Sequence, residues 1–204
     1  MLLANKIKDF HIILGSQSPR RQELLAGVLS SELNVHHPFE VVVKDVQEIF
    51  PEDMPVADVP CYLAELKAKS FTPAEIKRNT IVITADTIVL LNGKILGKPT
   101  SAEDAVAMLK SLSGNRHEVI TGVCLRSAGK IQVFSDRSEV WFRHLSQKEI
   151  RFYTEHFKPF DKAGAYGVQE WIGYIGIEKI EGSYFNVMGL PTQQLYIELM
   201  KFIS

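Results

Sequence analysis

The chain is poor in several features that would name a chemistry outright. Only two of its 204 residues are cysteine. Cys61 and Cys124 lie far apart and form no CxxC pair, so neither a zinc site nor a disulfide framework is indicated, and a reducing cytoplasm fits best. No apolar run approaches about 18 residues, which excludes a transmembrane helix. The opening MLLANKIKDFHIILG is interrupted by Lys6, Lys8 and Asp9 and is followed by no small-residue cleavage pattern, so it reads as the lead-in to a first strand rather than a signal peptide. A net charge of -1 removes the general electrostatic reason to expect nucleic acid as a partner, leaving a small ligand and local basic clusters to explain. There is no GxxxxGK[ST] phosphate loop, no GxGxxG after a strand, no GxSxG elbow and no HExxH. Six histidines show no ligand spacing, and His36-His37 before Pro38 falls in a turn or at a strand edge. Repeats, low-complexity tracts and clear linkers are also missing.

What is present is an ordinary globular composition, 46% hydrophobic and 23% charged, sufficient for one domain over residues 1–204. An apolar strand through Ile12-Ile13-Leu14 leads to a helix from Pro19 to about Leu29 with Leu24, Leu25 and Val28 inward. Val35 to Val43 reads as a strand. A polar, proline-marked loop through Ile49 to Pro55 precedes a helix over roughly Val56 to Phe71. Thr80 to Leu91 is too β-branched for a good helix and reads as a central strand, which Asn92-Gly93 turns into a hairpin toward Ile95-Leu96-Gly97. Ser101 to Leu112 reads as a helix with Ser101, Glu103 and Asp104 in favourable starting positions. His117 to Leu125 and Ile131 to Phe142 read as a long hairpin, and Ser146 with Glu149 forms a capping box for the next helix. Pro159 to Pro191, rich in glycine and aromatics, reads as loops with short strands, and Thr192 to Ile203 as a closing helix. Interleaved helices and strands with several hairpins predict an α/β fold: a mixed twisted sheet with flanking helices.

The first strand runs into an electrostatic oddity. In Gly15-Ser16-Gln17-Ser18-Pro19-Arg20-Arg21, Ser18 is a favoured N-cap and Pro19 a favoured first helical residue. Arg20 and Arg21 therefore fall in the first turn, beside the positive end of the helix dipole, where each cation costs roughly 0.3–1 kcal/mol. An anion gripped jointly by the guanidinium groups and free helix N–H groups is the natural compensation, as phosphates are.

Asp86 lies inside an otherwise apolar strand, where a carboxylate is paired, hydrogen-bonded, metal-bound or catalytic, which makes it the leading catalytic candidate. Thr87 beside it points to the opposite face of a regular strand and is otherwise a β-favouring residue. Lys98 is held between Gly97 and Pro99. Lys67 and Lys69 sit on a helix whose apolar side includes Leu63, Leu66 and Phe71, and read by pattern alone as surface lysines. Glu48 can join Asp86 in holding a hard divalent cation through oxygen ligands. Gly164 to Gln169 combines backbone-permissive glycines with a tyrosine and an amide, and an amide suits the edge of a base. A carboxylate with surrounding cations suits metal-assisted attack of water on a phosphate ester or anhydride.

Taken together, SQSPRRQELL (residues 16–25), LAELKA (63–68), ADTIV (85–89), LGKP (96–99), LSGNRHEVITGV (112–123), DKAGAYGVQ (161–169) and GSYFNVMGLP (182–191) resemble the Maf family of nucleoside triphosphate pyrophosphatases across nearly the whole chain. The GAYGVQ and NVMGLP stretches look like the branch acting on dTTP and UTP rather than the one preferring 7-methyl-GTP. The resemblance implies two lobes around a central cleft, cleavage between the α and β phosphates, a divalent cation such as Mg²⁺ or Mn²⁺, and a possible homodimer. By motif, Asp86 would activate water, as base or as metal ligand. Arg20, Thr87 and Gln169 would bear on substrate selection, and Arg21, Lys67 and Lys98 would face the phosphates. Glu48 would help hold the metal, and Ser16 and Ser18 match the serines of the first motif. The chain departs from that pattern at Glu170-Trp171, where glycine commonly follows the glutamine, and at Thr84, where a small residue is common. Competing readings are a nucleotide-binding regulator of cell division without turnover, and a pyrophosphatase with purine or 7-methyl-GTP preference.

Overall fold

A computed structural model describes residues 3–30 and 38–204. The chain runs through α1 (Leu3–Lys6), β1 (His11–Leu14), α2 (Pro19–Val28), β2 (Phe39–Val41), α3 (Val59–Lys69), β3 (Thr80–Leu91), β4 (Lys94–Leu96), α4 (Ala102–Leu112), β5 (Arg116–Arg126), β6 (Ile131–Phe142), α5 (Gln147–Phe157), α6 (Trp171–Gly176), β7 (Ile177–Glu181), α7 (Tyr184–Met188) and α8 (Thr192–Phe202). The strands form one mixed sheet in the order β2-β1-β3-β5-β6-β7, with β4 also on β3. β1 is parallel to both β2 and β3, whereas β4 on β3 and β7 on β6 are antiparallel. No helix among the described residues is long and apolar enough to cross a membrane.

The chain divides into two compact units. One comprises Met1–Asp86, Thr121–Asp136 and Gly189–Ser204; the other comprises Thr87–Ile120 and Arg137–Met188. β3, β5 and β6 each contribute residues to both. In the first unit, β3 is buried at every position from Thr80 to Asp86, as expected of a strand covered on both faces. Ile13, Phe71, Ile76 and Val82 form one apolar cluster, and Ala64, Ala68 and Cys124 another. Gly122 lets β5 approach the start of α3, since a Cβ there would lie 2.3 Å from the carbonyl carbon of Pro60. In the second unit, α4 packs on α5, and His117, Phe142 and Tyr166 meet edge to face, with centroids 5.0–5.4 Å apart.

Local chemistry accounts for the elements that match expectation. Ser101 accepts from the Asp104 amide, and Ser146 and Glu149 close a reciprocal capping box. Asn92 and Gly93 both adopt positive φ (49° and 78°), as a two-residue hairpin turn requires.

Other expectations need correction. The stretch read as lead-in to β1 contains the helix α1, which buries Leu3 and packs on α8. The strand expected over Val35 to Val43 is confined to Phe39–Val41; residues 35–37, with His36-His37, lie outside those described. The helix expected over Val56 to Phe71 begins as a 3-10 turn at Val56–Asp58 and ends at Lys69. Leu29 rather than Val28 is fully buried after α2. The stretch from Pro159 to Pro191 holds two short helices, α6 and α7, besides the strand β7.

Candidate active site

The parallel strands β1 and β2 end level with Ile83 on β3, three residues before Asp86, and the carboxyl ends of such strands are the usual place for ligands. β1 continues into Gly15, whose amide donates to Ile83 O at 2.8 Å, extending the pairing with β3 toward Asp86. A Cβ on Gly15 would lie 2.7 Å from Thr84 Cγ2, so that glycine is required by the packing. Beyond it, Ser16 Oγ accepts from the Ser18 amide at 3.3 Å, and Ser18 Oγ caps α2 by accepting from the Arg21 amide at 3.5 Å. The first turn of α2 contains no acidic residue.

The two arginines differ in setting. Arg21 spends its fork on the main chain: Nε donates to Gly189 O at 2.8 Å and Nη1 to Ala85 O at 2.9 Å, with Ser16 Oγ at 3.4 Å. Burial pulls its guanidinium below the ordinary arginine value, against an opposing pull from the Asp86 carboxylate. Arg21 thus ties the start of α2, the middle of β3 and the segment before α8 together. Arg20, the residue before it, is half-buried.

Lys67 is the centre of the cluster. Its Nζ lies 2.5 Å from Asp86 Oδ1 and 2.8 Å from Glu48 Oε1, with side-chain exposures of 17%, 11% and 46% for Lys67, Asp86 and Glu48. The reading of Lys67 as a surface lysine is therefore wrong, and the sequence held the missing signal. Lys67 follows Leu63 by four and Ala64 by three positions, which places it on the buried face of α3. Lys69, by contrast, is exposed and pairs with Glu65 at 2.7 Å. Thr84, at the position where a small residue is common, is fully buried, and its hydroxyl donates to Ala64 O on α3 at 2.6 Å.

Two carboxylates that converge on one ammonium ion make a donor set suited to a hard divalent cation, which commonly takes one or two carboxylates and completes its shell with substrate phosphates and water. Among the described residues no group of three or more His, Cys, Asp or Glu could hold a metal without such help.

The second unit carries Thr87, half-buried next to Asp86, and the exposed Lys98. The Lys98 loop and the Gln169 segment are joined directly, for the Gly164 amide donates to Gly97 O at 3.0 Å. Gly164 takes φ 68° and stands over Val89, where a Cβ would be 3.0 Å from the side chain. Gln169 Oε1 is buried and has no hydrogen-bond partner among the described residues. Sequence reasoning passed over the groups that hold this segment: Tyr153, Lys162, and His117, whose Nε2 meets Tyr166 Oη at 2.8 Å.

The sequence matches the Maf-like protein family over residues 11–202, and the chain belongs to that family. Curated relatives of nearly equal length are similar throughout. A dTTP/UTP pyrophosphatase of Porphyromonas gingivalis is 46% identical over 201 residues, covering 98% of each chain. One of Flavobacterium johnsoniae is 47% identical over 195 residues, covering 96% of each. One of Bacteroides thetaiotaomicron is 47% identical over 199 residues, covering 98% of this chain and all of the relative. A solved nucleoside-triphosphatase (dITP/XTP pyrophosphatase) from Mycobacterium abscessus overlaps at a TM-score of 0.39 and 13% identity, over 67% of this chain and 76% of that one.

Proposed function

We propose that this protein is a nucleoside triphosphate pyrophosphatase that hydrolyses dTTP and UTP to the nucleoside monophosphate and pyrophosphate. The observation that carries the reading is the Glu48–Lys67–Asp86 cluster, in a chain whose relatives bear that activity in their names.

In this reading Asp86 receives the proton of the water that attacks the α phosphorus. The α–β anhydride bond breaks, and pyrophosphate leaves with the bond electrons. Lys67 holds the Asp86 carboxylate in place and adds positive charge beside the polyphosphate. Arg20 and the α2 N-terminus, capped by Ser18 and braced by Ser16, grip phosphate oxygens. Arg21 acts mainly by fixing that turn. Glu48 and Asp86 would hold Mg²⁺ or Mn²⁺, which when bound neutralises phosphate charge and lowers the pKa of water.

Thr87, Lys98 and Gln169 enter the proposal through the family motifs they occupy. The unpartnered Gln169 Oε1 supports its role, since a pyrimidine ring N–H can donate to a buried acceptor. A reducing cytoplasm suits the two free thiols.

The test is incubation with dTTP, UTP, dGTP and 7-methyl-GTP in the presence of Mg²⁺ or Mn²⁺, followed by analysis of products. Monophosphate and pyrophosphate from the two pyrimidine nucleotides are expected. Tight binding with no products would instead make the protein a nucleotide-binding regulator, and faster turnover of the purine nucleotides would reverse the assigned specificity.

A further inference from the structure

Glu170 is unusual at its position. It stands at the N-cap of α6, where Ser, Thr, Asp or Asn is preferred, yet its side chain makes no cap bond to the helix. The carboxylate turns back instead. It accepts the Tyr153 hydroxyl and lies 3.0 Å from the Lys162 ammonium, itself only 9% exposed at the side chain and 2.7 Å from Asp161. The same Tyr153 oxygen accepts the buried Gly167 amide at 3.0 Å.

The bend that this network holds is tight. The Glu170 amide donates to Gly167 O at 3.0 Å, and a Cβ on Gly167 would lie 2.8 Å from Glu170 Cδ, so the carboxyl group occupies the space that glycine leaves. Upstream, Gly164 and Ala165 both take left-handed φ (68° and 58°), a conformation costly for alanine that persists only where its surroundings enforce it. Downstream, the Gly173 amide donates to Glu170 O at 2.9 Å, starting α6. Gln169 lies inside this bend, immediately before Glu170.

We infer that Glu170, clamped by Lys162 and Tyr153, is a positioning residue that sets the Gln169 amide and thereby the discrimination among nucleotide bases. The inference rests on the proposed nucleotide specificity. Glu170 acts through Gln169 and takes no part in bond breaking. A free carboxylate is expensive to leave half-buried beside one lysine alone, so the three side chains work as a unit: removal of any one releases the bend. Glutamine in place of Glu170 keeps the shape but loses the charge that pairs with Lys162, and phenylalanine in place of Tyr153 leaves the Gly167 amide without its acceptor.

The experiment compares wild type, Glu170→Gln, Tyr153→Phe and the double variant. It measures kcat and KM for dTTP and dGTP, and the affinity for the non-hydrolysable α,β-methylene analogues of both. For each single variant the expected result is a loss of dTTP-over-dGTP discrimination of about tenfold, the size of one charge-assisted hydrogen bond. That loss should be carried by KM and by analogue affinity, with kcat for dTTP changed less than about threefold. The double variant should lose little more than either single one, because both cut the same link. Unchanged discrimination, or equal losses for both nucleotides, would overturn the inference. Should Glu170→Gln fail to fold, Tyr153→Phe is read against the same two outcomes. If wild type binds the analogues but hydrolyses neither nucleotide, the pyrophosphatase reading falls while the ratio of analogue affinities still decides this one.

Discussion

Arg20 and Arg21 are neighbours in sequence, and the structure makes them fail in different ways. Arg21 donates to two main-chain carbonyls, Gly189 O at 2.8 Å and Ala85 O at 2.9 Å. Hydrogen bonds that involve a charged group contribute about 1.5–3 kcal/mol each. Truncation to alanine removes both, but water entering the vacated space recovers part of the loss, so Arg21→Ala should cost about 3 kcal/mol. At about 2–4 °C per kcal/mol for a chain of this size, the melting temperature should fall by about 6–12 °C. Arg21→Lys should recover about half of that, since a single ammonium on a flexible stem lacks the planar fork that serves two acceptors. Arg20→Ala removes a cation that the proposed function places on phosphate oxygens, and its effect should fall on substrate. KM for dTTP should rise about tenfold through the loss of one charge-assisted phosphate contact. Thermal unfolding without nucleotide, paired with pyrophosphate release at varied dTTP, separates the two. An Arg21→Ala protein that melts with wild type while KM rises would refute the assignment of Arg21 to the main chain.

Asp86→Asn should abolish pyrophosphate release while leaving the fold, checked by circular dichroism, unchanged; near-normal turnover would remove Asp86 from the proposed chemistry. His117 is buried, and desolvation pulls its pKa from 6.5 to about 4. Between those values the unfolded chain binds the extra proton, so stability should be full above pH 6.5 and decline by about 3 kcal/mol as pH falls to 4. Urea unfolding of wild type and His117→Phe across that range checks this, the variant being expected to lack that component. Gly122→Ala would place a Cβ 2.3 Å from the Pro60 carbonyl carbon. The resulting backbone shift should cost about 1–3 kcal/mol, measurable as a lower urea midpoint with little change in slope.

How much of this was legible in the sequence depends on the range of the forces involved. β3 spans Thr80–Leu91 as read, because a run of β-branched residues states its own preference. The Ser101 and Ser146 caps are likewise local chemistry, complete within four residues. α6 was missed because Trp-Ile-Gly-Tyr-Ile-Gly has poor helix propensity; Ile172 and Gly176 are buried, and tertiary packing makes the helix. In the site, Asp86 stood out because an acid within an apolar strand needs a reason. The partners of Arg21 could not be read, since Gly189 lies 168 positions away and a carbonyl leaves no trace in residue identity. Lys67 is the intermediate case, its spacing from Leu63 and Ala64 pointing inward while its charge argued for the surface.

The two departures from the family pattern share one physical logic. A hydroxyl at Thr84 and a carboxylate at Glu170 each bring polarity where a small residue or glycine is common, and a buried polar group without a partner costs about 1–3 kcal/mol. Each has its partner in place: Ala64 O for Thr84, Tyr153 and Lys162 for Glu170. Each partner also belongs to an element that carries a residue of the proposed function, for Ala64 precedes Lys67 on α3 by one turn, and Lys162 opens the segment that ends in Gln169. Thr84 therefore adds a strut between β3 and the helix that presents Lys67 to Asp86. Substitution by valine, which keeps the shape and removes the hydroxyl, should loosen that strut without emptying the core. The consequence belongs in the Lys67–Asp86 contact: kcat should fall several-fold in Thr84→Val while KM stays near wild type. A lower melting temperature with kcat and KM both near wild type would instead place Thr84 in packing alone.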